Sequence, residues 1–434
     1  MSLTQELVRL ARGKAITPTD LEAAAYFVLD TLACAVGARG SAPARMLDAV
    51  APLGSTDPGR RAFFVGGLSH ILEMDDLHRD SVTHPGCVVV PAAWAIAEDR
   101  NLKGQRFLES ILSGYEAVCR VGMAVGKAHY RVWHNTSTCG PFGSAMAAAD
   151  LMMLSEKQTI WSLGNAGTQS SGLWEFLEEG AMSKHLHTAR ASESGVLAAL
   201  LAAENFTGPA HILEGKKGFF AGLCSDFEAD KIVANPDGPW QLTRTSIKPW
   251  PCCRHTHPAI DAAIQLHREL DGEPITHVTV GAYRAALEVC NRPDPQDPYS
   301  AKFSLQHCVA IALADGQVMQ SSFEGSSRER ISDLRNKVSV DVSPVIDAAY
   351  PQSWGTEVVV KTAGGRKLAA LRQDAKGDPE NPVTSAELAS KARGLIMGAG
   401  VSEQLADTFI LSVLDLVNDR PVRDIALLET IRGR

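Results

Sequence analysis

The stretch LEAAAYFVLDTLACAVGARG, residues 21–40, carries its apolar residues at spacings of three and four. That period matches one face of an α-helix and not the alternation of a strand. LESILSGYEAVCRVGMAVGK at 108–127 and SGVLAALLAAENF at 194–206 have the same texture. From its start to about Ala234 the chain therefore reads as Ala/Leu-rich helices punctuated by Gly and Pro. Past Asn235-Pro236-Asp237-Gly238-Pro239 the texture changes. THVTVGAYR at 276–284 and TEVVVKTAGGRKLAALRQ at 356–373 are β-branched, the second with the look of a hairpin around Gly364-Gly365. Helical runs flank THVTVGAYR: AIDAAIQLHREL at 259–270 precedes it and KFSLQHCVAIALADG at 302–316 follows it. The expected fold is mainly α with an α+β part: a large all-helical domain over residues 1–240 and a smaller α+β domain over 241–399. Helices from about 400 to 434 are expected to pack back on the first domain.

Length and composition narrow the function classes. The 434 residues suffice for two or three domains, and 45% apolar with 21% charged residues is ordinary for a soluble globular protein. A net charge of -8 argues against a general nucleic-acid surface. No apolar signal-peptide core and no charge-free run of about 18 apolar residues is visible, so a cytoplasmic protein with no membrane partner is expected. The nine cysteines are scattered without any CxxC pair, which suggests reduced core thiols rather than a metal or iron–sulfur centre.

Chemistry concentrates between Gly66 and Pro91, in GGLSHILEMDDLHRDSVTHPGCVVVP, with three histidines, four carboxylates and one arginine. His70, Glu73 and Asp76 stand at i, i+3 and i+6, so a helix through Leu68–Asp76 would align them on one face. Pro85 and Gly86 break the period and present His84 from a loop. Three readings stay open for this segment: a solvated charged face, a metal site on His70, Glu73, Asp76 and His84, or a catalytic centre.

Three further segments carry candidate groups. In WHNTSTCGPFGSA, His134 precedes a Gly140-Pro141-Phe142-Gly143 turn expected to open a helix, whose free N–H groups near Gly143 and Ser144 can bind a carboxylate; close helix packing is the alternative use of the glycines. In EFLEEGAMSKHLHTARASESG, Lys184, His187 and Arg190 repeat every three residues and suggest a basic face. In SIKPWPCCRHTHPAIDAA, prolines hold Lys248 in an extended stretch ahead of Arg254, His255 and His257. His307, inside an apolar helical run, reads as a core histidine.

In order along most of the chain, these segments together with AKFSLQHCVAIALADG and GDPENPVTSAELASKARGL resemble the MmgE/PrpD family, the 2-methylcitrate dehydratase-like proteins. The resemblance implies a homodimer of two-domain subunits that needs no metal or organic cofactor. It also implies an enzyme acting on a small di- or tricarboxylate, as 2-methylcitrate dehydratase, cis-aconitate decarboxylase and iminodisuccinate epimerase do. Motif by motif, it puts site residues at Glu73 with Asp75 and Asp76 beside it, at His84, at His134, at Lys184 and at Lys248. His307 stands where the decarboxylase site has a tyrosine, and Leu77 where threonine is frequent.

The shared chemical problem is a C–H bond next to a carboxylate, whose carbanion adds charge to a group already anionic. Lys184 and Lys248, with His187, Gly143 and Ser144 also binding substrate, would offset that charge. His84 and His134 would exchange protons with the substrate, oriented by Glu73, Asp75 or Asp76. The leading expectation is a cofactor-independent hydro-lyase. An epimerase or decarboxylase is the close alternative, and a metal-dependent enzyme or a non-catalytic carboxylate binder the more distant ones.

Overall fold

The computed structural model describes residues 1–432 and divides into two compact units, Met1–Ile247 with Thr384–Arg434, and Lys248–Val383. In the first unit, α1 (Pro18–Ala38) starts where Thr17 and Asp20 cap each other reciprocally and Pro18 supplies a pre-set φ. This helix is long and apolar enough to cross a membrane by length and composition, but 72% of its apolar window is buried inside the fold. It also carries Asp30, fully buried. Helix α2 (Pro58–Ile71) begins at Asp57, whose carboxylate accepts from the Gly59 and Arg60 N–H groups.

Helix α3 (Gly86–Asp99) is buried without a break from Gly86 to Ala97, so it has no polar face and lies in the middle of the unit. Around it pack α4 (Gly104–Ala124), α5 (Asn135–Leu151) and α6 (Ser183–Ala203), with α6 also against α2. Each buried Val, Leu or Phe in these contacts contributes about 1.5–3 kcal/mol relative to exposure.

The turn expected at Gly140–Gly143 does not exist. Helix α5 runs through Pro141, and Gly143 and Ser144 lie at its middle with no free helix-terminal N–H groups. A Cβ on Gly143 would stand 2.8 Å from the Gly114 carbonyl oxygen, and one on Gly140 2.9 Å from Ala191 Cβ. The glycines let α4, α5 and α6 approach closely, and Ser144 Oγ donates to the carbonyls of Val88 and Gly140. The expected carboxylate contact from Gly143 and Ser144 is thereby overturned.

The second unit holds α7 (His257–Leu270), β1 (Ile275–Ala282), α8 (Leu305–Asp315), β2 (Val338–Val342), β3 (Thr356–Thr362) and β4 (Lys367–Arg372). Its sheet runs β2-β1-β3-β4, with β2 parallel to β1 and the other pairs antiparallel. Strands β3 and β4 form the hairpin expected at Gly364-Gly365, where Gly365 takes φ +83°. Thr356, Val358, Val360 and Thr362 of β3 face inward, with α7 against β3 and β4.

After this sheet the chain returns to the first unit earlier than expected. Helix α9 (Ser385–Gly398), assigned by sequence to the smaller domain, packs on α1 and so belongs with the helices. Its inward residues, Leu388, Ala392 and Ile396, repeat at four-residue intervals and match the apolar face of α1.

Candidate active site

Helix α2 ends at Ile71, five residues short of the helix expected through Asp76. Leu72 caps it, and Glu73 reverses the chain at φ +59°, a left-handed conformation reached without glycine or asparagine. The expected alignment of His70, Glu73 and Asp76 on one helix face is therefore overturned. The reversal instead turns Asp75 back onto His70: Asp75 Oδ2 lies 2.6 Å from His70 Nδ1, both side chains fully buried. Glu73 Oε1 accepts from Lys184 Nζ of α6 at 2.6 Å.

Asp76 faces away from the imidazoles. Its carboxylate accepts from the Gly86 N–H at the start of α3 and from the Tyr115 hydroxyl of α4 at 2.8 Å. A Cβ on Gly86 would fall 2.4 Å from Thr31 Oγ1 and 2.9 Å from Asp76 Oδ1, so only glycine admits this bond. Burial raises the Asp76 carboxyl well above the ordinary value, and the neighbouring Asp75 adds to it. Burial pushes Asp75 the same way, but the charges of His70 and His84 outweigh it and hold Asp75 well below the ordinary value. The two adjacent aspartates are thus pushed in opposite directions.

The loop between Asp76 and α3 is a tight excursion. Leu77–His78 pair antiparallel with Thr245–Ser246, and Val82 sits at φ +51°, a strained conformation for a β-branched residue. His78 is spent on this loop: Nδ1 meets Ser81 Oγ at 2.8 Å, Nε2 meets Gln241 Oε1 at 3.1 Å, and burial lowers it to about 4. His84 emerges from the loop as the proline predicts. Its Nδ1 donates to the Asp76 carbonyl at 2.6 Å and lies 3.4 Å from Asp75 Oδ2. That tautomer leaves Nε2 as the unprotonated, basic nitrogen. Burial lowers His84, with Asp75 opposing.

His134, at the N-terminus of α5, completes the group. Its ring is 6.1 Å from that of His70 and 4.6 Å from Trp174, and its Nδ1 is 3.2 Å from His187 Nδ1 on α6. Burial holds His134 well below the ordinary value, with Lys184 and the other histidines reinforcing it, and lowers His187 to about 4. Four imidazoles, those of His70, His84, His134 and His187, are thus gathered with Lys184, Glu73 and Asp75 in one cluster, buried except for the partly exposed His84 and His187.

One member of the expected basic face lies elsewhere. Arg190 does not join Lys184 and His187; it is exposed and ion-paired with Glu193. Lys248 is buried as the first residue of the second unit. In that unit, Arg254 is ion-paired with Asp378, and His255 stacks on Trp354. His307 is buried with Nε2 on the Ser322 carbonyl at 2.9 Å, as a core histidine would be.

Sequence reading considered His70 only as a metal ligand. The structure puts it at the centre of the cluster, with Nε2 buried and no hydrogen-bond partner among the described residues. The ligand atoms of His70, Asp75 and His84 lie within 4.8 Å of one another, which meets the spacing a bound ion requires. Glu73 and Asp76, expected in that set, are engaged by Lys184 and by Gly86 and Tyr115. Of the two nitrogens near Asp75, His70 Nδ1 is hydrogen-bonded to it and His84 Nδ1 is spent on the Asp76 carbonyl, so the geometry is that of a carboxylate orienting one imidazole with a second in its field.

Residues 6–231 match the MmgE/PrpD N-terminal domain and residues 250–416 the MmgE/PrpD C-terminal domain. Among curated proteins, the chain is 26% identical to the cis-aconitate decarboxylase-like protein oryM of Aspergillus oryzae, over 95% of this chain and 93% of that one. It is 25% identical to the cis-aconitate decarboxylase of Homo sapiens over 86% of this chain and 79% of that one. With the Mus musculus cis-aconitate decarboxylase the figures are 24%, 83% and 75%.

Proposed function

Because the chain belongs to the MmgE/PrpD family, we propose that it is a lyase of a small di- or tricarboxylate, with decarboxylation of a cis-aconitate-like acid ahead of dehydration. The observation that carries this order is the similarity, over 83–95% of this chain, to cis-aconitate decarboxylases and a decarboxylase-like protein. It reverses the order expected from the sequence, where the hydro-lyase came first.

The cluster supports such chemistry. A polycarboxylate entering this cluster finds one fixed cation, Lys184, and the imidazoles of His84, His134 and His187, whose affinity for protons burial lowers. Its negative charge raises their affinity for protons, so substrate and proton enter together. In decarboxylation, the C–C bond to the departing carboxylate breaks and its electron pair moves through the adjacent double bond. An imidazolium then gives its proton to the carbon that receives the pair. The CO2 leaves, and the imidazole returns to its neutral form. Lys184 offsets the charge that builds on the retained carboxylate. His84 and His134 are the proposed proton carriers; the Asp76 carbonyl holds His84 in orientation, and the nearby Asp75 charge supports its protonated form.

Dehydration is the second reading. In its favour, His307 occupies the place of the decarboxylase tyrosine, and its Nε2 is engaged by Ser322. There the neutral Nε2 of His84 removes a proton and an imidazolium assists the leaving hydroxide.

Proton NMR in D2O with cis-aconitate, 2-methylcitrate, citrate and iminodisuccinate separates these outcomes. Carbon-bound deuterium with release of CO2 supports the decarboxylase. A new alkene without CO2 moves the assignment to dehydratase, and exchange into a diastereomer to epimerase. Folded protein that turns over none of the four defeats the proposal.

A further inference from the structure

Helix α9 reaches the catalytic loop from the far end of the chain. Lys391 Nζ donates to Asp30 Oδ1 of α1 and, at 2.7 Å, to the Met74 carbonyl. Both charged side chains are buried, at 8% and 0% exposure. Met74 is the residue between Glu73, which holds Lys184, and Asp75, which holds His70. A buried ammonium donating to that carbonyl pins the turn at its centre, where Glu73 is held in a left-handed conformation.

We propose that Lys391 is a positioning residue for the reaction: through the Met74 carbonyl it fixes the Glu73–Asp75 turn that orients the imidazoles. This rests on the lyase reading for its kinetic consequence, but the positioning itself is a property of the unliganded protein. Asp30 supplies the counter-charge that allows the ammonium to be buried. The groups facing Lys391 are Asp30 and Cys34 from α1 and Asp75 from the loop; burial opposes its charge, but Asp30 above all, with Cys34 and Asp75, raises Lys391 above its ordinary value. The ammonium therefore stays charged and the bond to Met74 persists.

A simple structural role predicts that anything restoring the packing also restores turnover. The test compares Lys391→Met, Lys391→Arg and the charge-free double variant Asp30→Asn with Lys391→Met. Lys391→Met leaves Asp30 buried without its cation and loses thermal stability; the double variant regains most of it. If Lys391 positions the turn, the double variant keeps a kcat lowered about tenfold or more with KM changed by less than about threefold, since a misplaced group costs the transition state more than binding. Lys391→Arg recovers part of kcat. Amide hydrogen exchange of residues 72–77 without substrate speeds up in the double variant while α3 and α5 keep their protection. A double variant with wild-type protection at 72–77 overturns the proposal, as does one with wild-type kcat. The exchange arm needs no substrate, so it decides the positioning role even if the wild type turns over none of the tested acids.

Discussion

Asp75 Oδ2 stands 2.6 Å from His70 Nδ1 and 3.4 Å from His84 Nδ1, so one buried carboxylate holds one imidazole by a hydrogen bond and a second in its field, while the Asp76 carbonyl accepts the hydrogen bond from His84. An amide in its place offers the same shape without the charge. Asp75→Asn is expected to lower kcat by about 100-fold or more, because it removes the charge that supports an imidazolium at His84 and weakens the bond that fixes His70. KM should change far less. Steady-state kinetics on the acid identified by NMR reads this, and a loss smaller than about threefold would remove Asp75 from the mechanism.

Gly86 joins α3 to the Asp76 carboxylate. Gly86→Ala places a methyl group 2.4 Å from Thr31 Oγ1 and 2.8 Å from the Tyr115 hydroxyl, neither of which ends a long flexible side chain. The expected cost is about 1–3 kcal/mol of stability, from overpacking and weakening of the Asp76 bonds. Chemical denaturation measures it, and an unchanged midpoint would mean that α3 can shift to accept the methyl.

How far the sequence could be read depended on whether the relevant physics was local. The helix over 21–40 was legible because the apolar residues that set its spacing are neighbours in the chain. The loop that presents His84 was legible because Pro85 restrains the residue before it. The reversal at Glu73 was not: no glycine or asparagine marks it, and the Lys184 that binds the Glu73 carboxylate lies 111 residues further on. The pairing of Asp75 with His70 depends on that reversal and stayed hidden with it. Pro141 misled for the opposite reason. Proline usually ends a helix, but here it sits inside α5, in a buried helix that tertiary packing holds straight through. Lys391 gave no local signal, since its partners Asp30 and Met74 lie more than 300 residues earlier.

Acid should weaken the fold through its buried imidazoles. His78, His185 and His187 are each lowered to about 4, chiefly by burial, from an ordinary value of 6.5. As pH falls below about 6.5 the unfolded chain takes up these protons first. The stability they contribute is complete above that pH and is lost progressively toward pH 4. Within this window each contributes a slope of up to about 1.4 kcal/mol per pH unit. His78→Gln removes one such proton outside the catalytic cluster. Unfolding free energy plotted against pH should then fall less steeply than in the wild type, and parallel curves would contradict the buried neutral state of His78.

Lys184 and Glu73 face each other at 2.6 Å with side chains 11% and 7% exposed, and an incoming carboxylate must share the ammonium with Glu73. Removing the glutamate has two opposed effects. Glu73→Ala takes a counter-charge from a largely buried cation, which costs about 3–5 kcal/mol when a pair is fully buried and less here because of the residual exposure. The same change makes Lys184 more available to an anionic ligand. The unliganded variant is therefore expected to melt below the wild type, while saturating citrate or cis-aconitate raises its melting temperature by more than it raises that of the wild type. Glu73→Gln, which keeps an acceptor oxygen near Lys184, should fall between the two on both counts. Equal ligand-induced shifts in all three proteins would mean that substrate carboxylates do not reach Lys184, and the cation that offsets the developing charge would have to be sought elsewhere.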